Sequence, residues 1–248
     1  MRKITFLVLA LFLIAKFCFA QENGVVTYTI THDWIKKHAA CKYISKTETE
    51  HLNYVWGGDN EYVRKAELKF NADFSRFEAK ENDENTGYSW RKAEDYIIYR
   101  DRGSNETFDF MTLLNKQYAI KDSIVSQKWK IKNDIKEVAG RICMNASYYD
   151  TLKEKEVMVW FALDLPIPLG PDIYCGLPGM ILEVNEGNGA VVYTATTILL
   201  SDEKVEIEKP LAKKQRKVIT TQEYNNIISK HIAECKKMQR TYFGAIPF

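Results

Sequence analysis

Apolar and polar residues alternate with a period of two along most of the chain after its first twenty residues. Gly24 to Ile30 is rich in β-branched and aromatic residues, and the alternation from Tyr62 to Ala79 is broken by the turn residues Asn71-Ala72-Asp73. This period predicts strands with one buried face, and the second stretch predicts a β-hairpin. The same pattern predicts further strands over Tyr96 to Tyr99, Glu106 to Met111, Trp129 to Ile131, Arg141 to Tyr149, Glu156 to Leu163, Met180 to Val184 and Ala190 to Leu200.

Two segments have helical periodicity. Asp33 to Ile44 predicts a short helix, and Thr220 to Arg240 predicts a longer one. Thr220 and Glu223 have the spacing of a capping box. The apolar residues of the longer segment recur every three or four positions and share one face. They are Tyr224, Ile227, Ile228, Ile232, Cys235 and Met238.

Many antiparallel strands followed by one amphipathic helix predict a mainly β fold. No linker, repeat or low-complexity tract divides residues 21–248, so we expect a single domain. A sheet of this size must curl or be covered to bury one face. The prediction is a strongly curved antiparallel sheet or open half-barrel with the C-terminal helix packed on it.

The first twenty residues have the layout of a secretory signal peptide. Arg2 and Lys3 precede an apolar run from Ile4 to Ala15, which is too short for a membrane span, and small Ala20 precedes polar residues. We expect cleavage after Ala20 and export of residues 21–248 to the periplasm or cell envelope, soluble or peripheral and without a transmembrane segment. Lipidation at Cys18 is disfavoured because its neighbours are bulky.

Charge argues against a nucleic-acid partner. The chain carries 35 basic and 33 acidic residues, and removing the three basic residues of the leader changes the net charge from +2 to −1. Binding to phosphates needs a concentrated positive face. The short cluster Lys213, Lys214, Arg216 and Lys217 predicts only a solvated loop that leads into a helix.

Cys41, Cys143, Cys175 and Cys235 remain after the leader. An even number in an exported chain favours disulfides, and the sequence leaves three pairings open. A zinc site is the alternative, because His38 and Cys41 are three residues apart while His231 and Cys235 are one helical turn apart. Two histidines and two cysteines can form a tetrahedral site, but an oxidising compartment argues against free thiols.

The sequence contains no arrangement typical of an enzyme. Only four histidines are present, and no Gly-x-Ser-x-Gly motif accompanies them. The neighbouring carboxylates Asp83/Glu84 and Glu203/Glu206 predict charged loops. We therefore expect a non-enzymatic protein without a cofactor.

The most unusual stretch is Leu165 to Gly179, here named the Pro–Gly segment, which holds four of the six prolines. Pro166 and Pro168 fix φ and cannot donate to a ladder, so this part should be extended and off the sheet interior. In Gly176-Leu177-Pro178-Gly179, proline and glycine occupy the central positions of a type II turn, with positive φ expected at Gly179.

Several residues in and around this segment keep the spacing of a known family hallmark. They are Trp160-Phe161, Ile167-Pro168, Gly170-Pro171, Tyr174 and Gly176 to Glu183. In these residues the chain resembles the GLPGLI family of exported Bacteroidetes proteins, continuously from about Ile131 to Ile198. Ala139 to Ala146 is similar to the family's G-x-x-C-x-x-A strand. Met180 replaces a leucine of the pattern, and Phe161 replaces a more frequent tyrosine.

The resemblance implies an envelope protein of a kind often encoded beside TonB-dependent receptors, and it supplies no catalytic residues. The layout is also similar to the half-barrel of outer-membrane lipoprotein carriers, although a shared fold does not establish a function. Because Cys143 and Cys175 fall in the family-like blocks, the resemblance implies a Cys143–Cys175 disulfide, which leaves Cys41 with Cys235.

Our first functional hypothesis is an envelope binding or carrier protein that holds a lipid-like ligand, a peptide or an outer-membrane receptor segment. The alternative is a structural or assembly accessory without a small-molecule pocket. A deep apolar cavity would favour the first, and a filled interior with an exposed apolar patch the second. The candidate contact residues are Trp160, Leu165, Pro168, Tyr174, Gly176, Leu177, Pro178 and Gly179.

Two triplets, Asp122-Ser123-Ile124 and Asp150-Thr151-Leu152, resemble the acceptor sequence for O-glycosylation in Bacteroidetes. Such triplets also occur often by chance. Ser123 and Thr151 are therefore candidate modification sites.

Overall fold

The computed structural model describes residues 23–56, 60–80, 96–211, 216–243 and 246–247. The predicted leader, the Asp83/Glu84 pair, Lys213 and Lys214 lie outside the described residues. No helix among the described residues is long and apolar enough to cross a membrane.

The described residues form one twelve-stranded sheet and three helices. The sheet has the order β12-β6-β5-β4-β3-β2-β1-β11-β10-β9-β8-β7 and does not close. Within it, the parallel pairing of β12 with β6 is the exception to an otherwise antiparallel arrangement. The strands are β1 (Asn23–Asp33), β2 (Glu61–Phe70), β3 (Phe74–Ala79), β4 (Ile97–Asp101), β5 (Glu106–Leu113), β6 (Lys116–Ser123), β7 (Lys130–Val138), β8 (Arg141–Asp150), β9 (Lys155–Ala162), β10 (Met180–Glu186), β11 (Val191–Ser201) and β12 (Lys217–Ile219); the helices are α1 (Trp34–Ala40), α2 (Lys46–Trp56) and α3 (Thr221–Lys237).

The main core lies on one face of the sheet, here called the inner face. The buried positions of each strand alternate with partly exposed ones, as a period of two requires. Neighbouring strands place their buried residues in the same rows, and these include Val26, Tyr28 and Ile30 of β1, Ala66, Leu68 and Phe70 of β2, and Val157, Val159 and Phe161 of β9. The structure confirms the predicted mainly β fold with an open sheet and the C-terminal helix packed against it.

A smaller apolar cluster lies on the opposite, outer face. Ile97, Phe110 and Ala119 form it, with Phe108 packed against them. Residues 202–211, here named the outer strap, pass beside it, since Lys209 Nζ lies 5.7 Å from the Phe108 ring centre. The Asn71 side-chain amide donates to the Val205 carbonyl at 2.8 Å. The Arg216 guanidinium lies 4.0 Å from the centre of the Phe110 ring and is buried, so the prediction of a solvated loop at this residue is wrong.

Helix α3 begins as the capping box predicts. Thr220 Oγ1 accepts from the Glu223 N–H at 3.2 Å, and the Glu223 carboxylate accepts from the Thr220 N–H at 2.9 Å. A distant residue adds to this cap, because Asp122 Oδ2 accepts from the Thr221 N–H at 3.0 Å. The helix ends at Lys237, three residues earlier than predicted, which leaves Met238 exposed rather than on the buried face.

Candidate functional site

The Pro–Gly segment connects β9 to β10 through two successive three-residue turns. The Ile167 N–H donates to the Leu165 carbonyl at 2.7 Å, and the Leu169 N–H donates to the Ile167 carbonyl at 2.8 Å. Pro166 and Pro168 are the central residues of these turns. An inverse γ-turn needs φ near about −75° at its centre, which is close to the value that proline imposes. The segment is therefore more tightly turned than the extended crossing we predicted.

This geometry gives the segment two different edges. Leu165, Ile167 and Leu169 are 2–4% exposed and belong to the main core, whereas Pro166 and Pro168 are exposed. The alternation continues at the far end, where Leu177 is buried and Pro178 is exposed. We call the exposed edge formed by Pro166, Pro168 and Pro178 the proline rim.

The segment is joined to the start of β10 by backbone hydrogen bonds. The Met180 N–H donates to the Leu165 carbonyl, and the Ile181 N–H donates to the Leu169 carbonyl, both at 2.9 Å. A Cβ on Gly179 would lie 2.1 Å from the Ala162 carbonyl oxygen, so only glycine allows this approach. The predicted positive φ at Gly179 is wrong, because it occurs at Gly176 instead (φ +88°).

The structure separates the eight predicted contact residues. Leu165, Tyr174, Leu177 and Gly179 are buried. Trp160 is half-buried, with Lys136 Nζ 4.6 Å from its ring centre. Pro168, Gly176 and Pro178 are exposed. The apolar side chains that we proposed as a ligand surface thus fill the inner face themselves.

A buried polar network anchors the segment at Asp172, a residue that the sequence analysis missed. Its carboxylate accepts from the Tyr193 hydroxyl at 2.8 Å and from the Tyr96 hydroxyl. Its backbone carbonyl accepts two hydrogen bonds from the Arg100 guanidinium, each at 3.2 Å. The only sequence signal was a charged residue placed directly after Gly170-Pro171, since its partners are distant in sequence.

A second carboxylate, Asp109, lies in the same buried region. Burial raises its pKa to about 6, against the opposing effects of the nearby Arg100 charge and of two hydrogen bonds. These bonds come from Thr107 Oγ1 at 2.7 Å and from the Tyr99 N–H at 3.2 Å. Burial also raises the pKa of Tyr96 and of Tyr193 well above the ordinary value, so both phenols stay protonated as donors.

A buried ion pair supports the neighbouring Tyr174. Lys155 and Glu186 form a salt bridge with both side chains 3% exposed. Burial alone would raise the pKa of Glu186, but the ammonium groups of Lys155 and Lys153 and hydrogen bonds from Lys155 and Tyr174 hold it below its usual value. Burial lowers the pKa of Lys153 to about 8. The attraction within such a buried pair is largely offset by the cost of removing both charges from water, so its presence is weak evidence for net stability.

Residues 124–129 hold the other side of the segment. Trp129 Nε1 donates to the Cys175 carbonyl at 2.8 Å, and the Gln127 side chain bonds the Cys175 N–H and the Ile173 carbonyl at 3.2 and 3.1 Å. The Trp129 ring also meets the Tyr148 ring edge-on with centres 5.0 Å apart. The segment is therefore fixed by hydrogen bonds from at least three directions, and we treat it as rigid.

All four cysteines described by the structure are buried free thiols. The Cys143–Cys175 disulfide stays a prediction. Cys143 Sγ lies 3.5 Å from the Arg141 carbonyl, whereas Cys175 Sγ lies 3.9 Å from the Val125 carbonyl. The first thiol belongs to β8, and the second belongs to the Pro–Gly segment beside residues 124–129.

The alternative metal ligands do not converge. His38 packs edge-on against the Phe243 ring with centres 5.0 Å apart, whereas His231 Nε2 contacts Cys235 Sγ at 3.4 Å. Burial lowers the pKa of His38, and the charge of Lys37 adds to this effect. Among the described residues, no group of three His, Cys, Asp or Glu side chains could hold a metal ion.

The two candidate glycosylation acceptors, Ser123 and Thr151, are exposed. Ser123 ends β6, and Thr151 lies in the turn between β8 and β9. Their accessibility is compatible with modification, which stays a prediction.

One family model matches part of the chain, and this part includes the Pro–Gly segment. A family model described as "Protein of unknown function (Porph_ging)", of a Bacteroidetes-associated family, matches residues 117–183. The match runs from β6 through the Pro–Gly segment into β10. It fits the predicted resemblance to a Bacteroidetes family, while the GLPGLI assignment itself stays a prediction. No curated protein matches the chain.

Two solved structures of PNGF-II, in the C2 and P21 space groups, are similar to the chain at 16% and 15% identity. Each comparison covers 84% of this chain and 33% of the other, with a TM-score of 0.49. The chain thus spans about one third of the length of those proteins, and the similarity assigns no function to it. In sequence, residues 117–183 are therefore similar to a family of unknown function, and this part includes the Pro–Gly segment.

Proposed function

We propose that this chain is a non-enzymatic binding protein of the cell envelope whose proline rim docks on a partner protein. The alternating burial of the Pro–Gly segment carries this proposal. Its leucine and isoleucine side chains fill the inner face, while Pro166, Pro168 and Pro178 stay exposed. The γ-turns explain proline at positions 166 and 168, and a docking partner would in addition use the exposed face that the three rings present.

The same observation favours docking over carriage of an apolar ligand. Leu165, Tyr174 and Leu177 are each at most 4% exposed and pack within the main core. A lipid-like ligand bound by these residues would have to displace the segment and break its hydrogen bonds. The accessory function therefore fits the geometry better than the carrier function.

Exposed apolar residues extend the rim on both sides. Leu163 is 50% exposed just before the segment, Ile173 is 39% exposed within it, and Val125 is 66% exposed in the adjoining residues 124–129. A rigid surface loses little conformational entropy when it binds. Proline rings on such a surface suit a partner that offers aromatic or other apolar side chains.

The resemblance to the GLPGLI family supports an outer-membrane receptor as the partner, and the leader-like N-terminus supports export to the compartment where such receptors are reached. Both statements are parts of the proposal. The function would then be to hold or assemble a receptor rather than to transform a substrate.

The test is affinity capture from envelope extracts of the source organism, with partners identified by mass spectrometry. The full chain is compared with a Pro168→Glu/Pro178→Glu variant, and Leu211→Glu is the matched control because Leu211 is 85% exposed outside the rim. We expect the wild type and the control to retain one receptor that the rim variant loses at equal thermal stability. Equal retention by all three, or retention by none, would overturn the proposal.

A further inference from the structure

Strand β7 is one edge of the open sheet. Within the described residues it pairs with β8 on one side and with no strand on the other. An edge strand presents unpaired backbone N–H and C=O groups with which another chain can pair. The opposite edge, β12, has only three residues, whereas β7 has nine. Of these two edges, β7 is therefore the one that is long enough to accept another strand.

The hairpin loop between β7 and β8 fixes which backbone groups of β7 face outward. The loop has two residues, Ala139-Gly140, with φ values of +49° and +76°. Such a loop is closed by a hydrogen-bonded pair, and hydrogen-bonded pairs then alternate with non-bonded ones along the ladder. The backbone groups of Lys136 therefore point to β8, while those of Ile135 and Glu137 point away from the sheet.

A bulge in β7 precedes this stretch. The register with β8 shifts between Ile131 and Ile135, which marks extra residues on β7. The Asp134 N–H donates to Asn145 Oδ1 at 3.1 Å, and Asn145 Nδ2 donates to Asp134 Oδ2 at 2.8 Å. The Asp134 N–H thus points to β8, as the alternation requires. Residues 134–138 therefore form a regular edge.

The side chains of this edge continue an apolar row of the main core. Phe161, Met144 and Ile135 are direct neighbours across β9, β8 and β7. Phe161 is 1% exposed, Met144 is half-buried and Ile135 is 65% exposed. Ile142, diagonal to Ile135 on β8, is 64% exposed. The row thus ends at the edge of the sheet in an uncovered isoleucine, which an apolar side chain of a second chain would bury.

We propose that two copies of this chain pair edge to edge through antiparallel β7 strands, about a two-fold axis at Ile135. Outward backbone groups must face outward ones, so the axis must pass beside one residue rather than between two. An axis at Asp134, Lys136 or Glu137 would place two like charges directly opposite each other, which destabilises a ladder. An axis at Ile135 opposes two isoleucines and continues the apolar row from one copy into the next.

Charge complementarity supports this register. With the axis at Ile135, Lys136 lies opposite the partner's Asp134, and the symmetry produces this pair twice. Lys136 Nζ contacts Glu183 at 2.5 Å with its side chain 35% exposed, and exposed Asp134 uses one carboxylate oxygen for Asn145. An ammonium group has three donors and a carboxylate has two acceptor oxygens. Both groups therefore have capacity for a contact across the interface.

The other lysines of β7 do not oppose this pairing. Lysine on an edge strand commonly prevents uncontrolled association. In the proposed register, however, Lys132 lies opposite the partner's Val138, and Lys130 lies opposite the partner's Gly140. The inference is independent of the proposed docking function, because no residue of the proline rim belongs to β7.

The first test is sedimentation equilibrium of the protein as it is isolated from cells, over a wide range of concentration. We expect a reversible monomer–dimer equilibrium. Ile135→Glu opposes two carboxylates at the axis and should weaken association by at least about tenfold. Val218→Glu, at a 55% exposed position on β12, is the control and should associate like the wild type. A monomeric wild type, or equal association of Ile135→Glu, would overturn the proposal.

The second test measures the register by cross-linking with oxidised glutathione. Residues opposed in a hydrogen-bonded pair have Cα atoms about 5.5 Å apart, which suits a disulfide. The native cysteines are buried, so the thiol of Ile135→Cys is the exposed one. Ile131→Cys is the matched control, because Ile131 is 54% exposed on the same strand but lies opposite the partner's Ala139. We expect Ile135→Cys to form linked dimers at least about tenfold faster. Equal rates, or no link in either variant, would contradict the register.

A third measurement keeps the proposal falsifiable if the variants at position 135 fold poorly. Asp134→Lys and Lys136→Asp each oppose like charges across the axis, so each variant alone should dimerise more weakly than the wild type. In a mixture, every opposed pair at these positions has opposite charges, and a heterodimer should form. A mixture that associates no better than either variant alone would show that the two positions do not face each other.

Discussion

The Pro–Gly segment and the outer strap both cross the sheet without regular structure, yet they are held differently. The segment buries its alternate side chains in the main core and receives hydrogen bonds at Asp172 from two tyrosines and an arginine. The strap is exposed along most of its length. Its Val205 and Glu208 carbonyls accept hydrogen bonds from the side chains of Asn71 and Arg76. Lys209 Nζ lies 6.0 and 5.7 Å from the Tyr99 and Phe108 ring centres.

The segment and the strap should therefore differ in how much their contacts contribute to the stability of the fold. Buried hydrogen bonds to a charged group are expensive to lose, because the partners cannot turn to water instead. Partly exposed contacts are replaced by water at little cost. We therefore expect substitutions in the segment to reduce stability strongly and equivalent changes in the strap to be nearly silent.

The largest expected effect is that of Asp172→Ala. Removing the carboxylate leaves the buried Tyr96 and Tyr193 hydroxyls without their acceptor, and we expect a loss of about 4 kcal/mol in the free energy of unfolding. Urea denaturation measures this loss. Glu206→Ala in the exposed strap is the control and should change stability by less than about 0.5 kcal/mol. Similar losses for the two variants would erase the contrast between the regions.

Gly179→Ala should come next, at about 3 kcal/mol, because its Cβ would lie 2.1 Å from the Ala162 carbonyl oxygen. Backbone must move to relieve such a contact. Gly103→Ala is matched in chemistry but meets only the Asp101 carboxylate at 3.5 Å, and it should be tolerated. Thermal unfolding of both variants compares them, and a tolerated Gly179→Ala would show that the segment is loosely seated.

Asp109→Asn tests how the buried carboxyl near the Pro–Gly segment makes stability depend on pH. Burial raises the folded-state pKa of Asp109 from 3.8 to about 6, so the folded protein binds this proton more tightly than the unfolded chain does. The stability contributed by the protonated carboxyl is complete below about pH 4 and is lost as the pH rises through about 6. Because an amide does not titrate, Asp109→Asn keeps its stability as the pH rises. Between about pH 4 and about pH 7, the free energy of unfolding of the variant should therefore rise by about 2 kcal/mol relative to that of the wild type.

Urea denaturation at about pH 4 and about pH 7 tests this pH dependence, with exposed Glu203→Gln as the control. The control should follow the wild-type profile. A difference between wild type and Asp109→Asn that does not change with pH would show that the carboxyl titrates normally.

The smallest effect is expected at Lys209→Ala in the strap. Its ammonium group contacts two aromatic rings at about the limit of a cation–π interaction, and we expect a loss of at most about 0.5 kcal/mol. Chemical denaturation at low and high salt measures it. A loss comparable with that of Asp172→Ala would show that the strap holds the outer face as firmly as the segment holds the inner one.

Local patterns predicted the parts of the fold that depend on local chemistry. The alternation in β1, the hairpin of β2 and β3, and the capping box of α3 were all readable, because each depends on residues a few positions apart. Strand β6 was missed because Lys116–Ser123 carries polar residues along much of its length, and its pairing partners decide its conformation. The three-residue β12 was missed for the same reason.

The candidate site was predicted only in outline. The sequence pointed to the Pro–Gly segment, because its prolines and glycines are unusual, but it could not tell the buried edge from the exposed one. Tyr174 and Leu177 were expected to contact a ligand, and the structure places them in the core. The role of Asp172 was not predicted, because no residue near it in the sequence indicates that Arg100 and Tyr193 will bond to it.

The sequence by itself determined which backbone conformations were open: strands where side chains alternate, a helix from the Thr220 cap, and fixed φ values at Pro166 and Pro168. The tertiary structure alone decided which face of each element is buried and which distant groups share a hydrogen bond. The physical reason is the separation in sequence of the groups that interact. Propensity and proline geometry act within a few residues, whereas burial, pKa values and the hydrogen bonds to Asp172 depend on groups that only folding brings together.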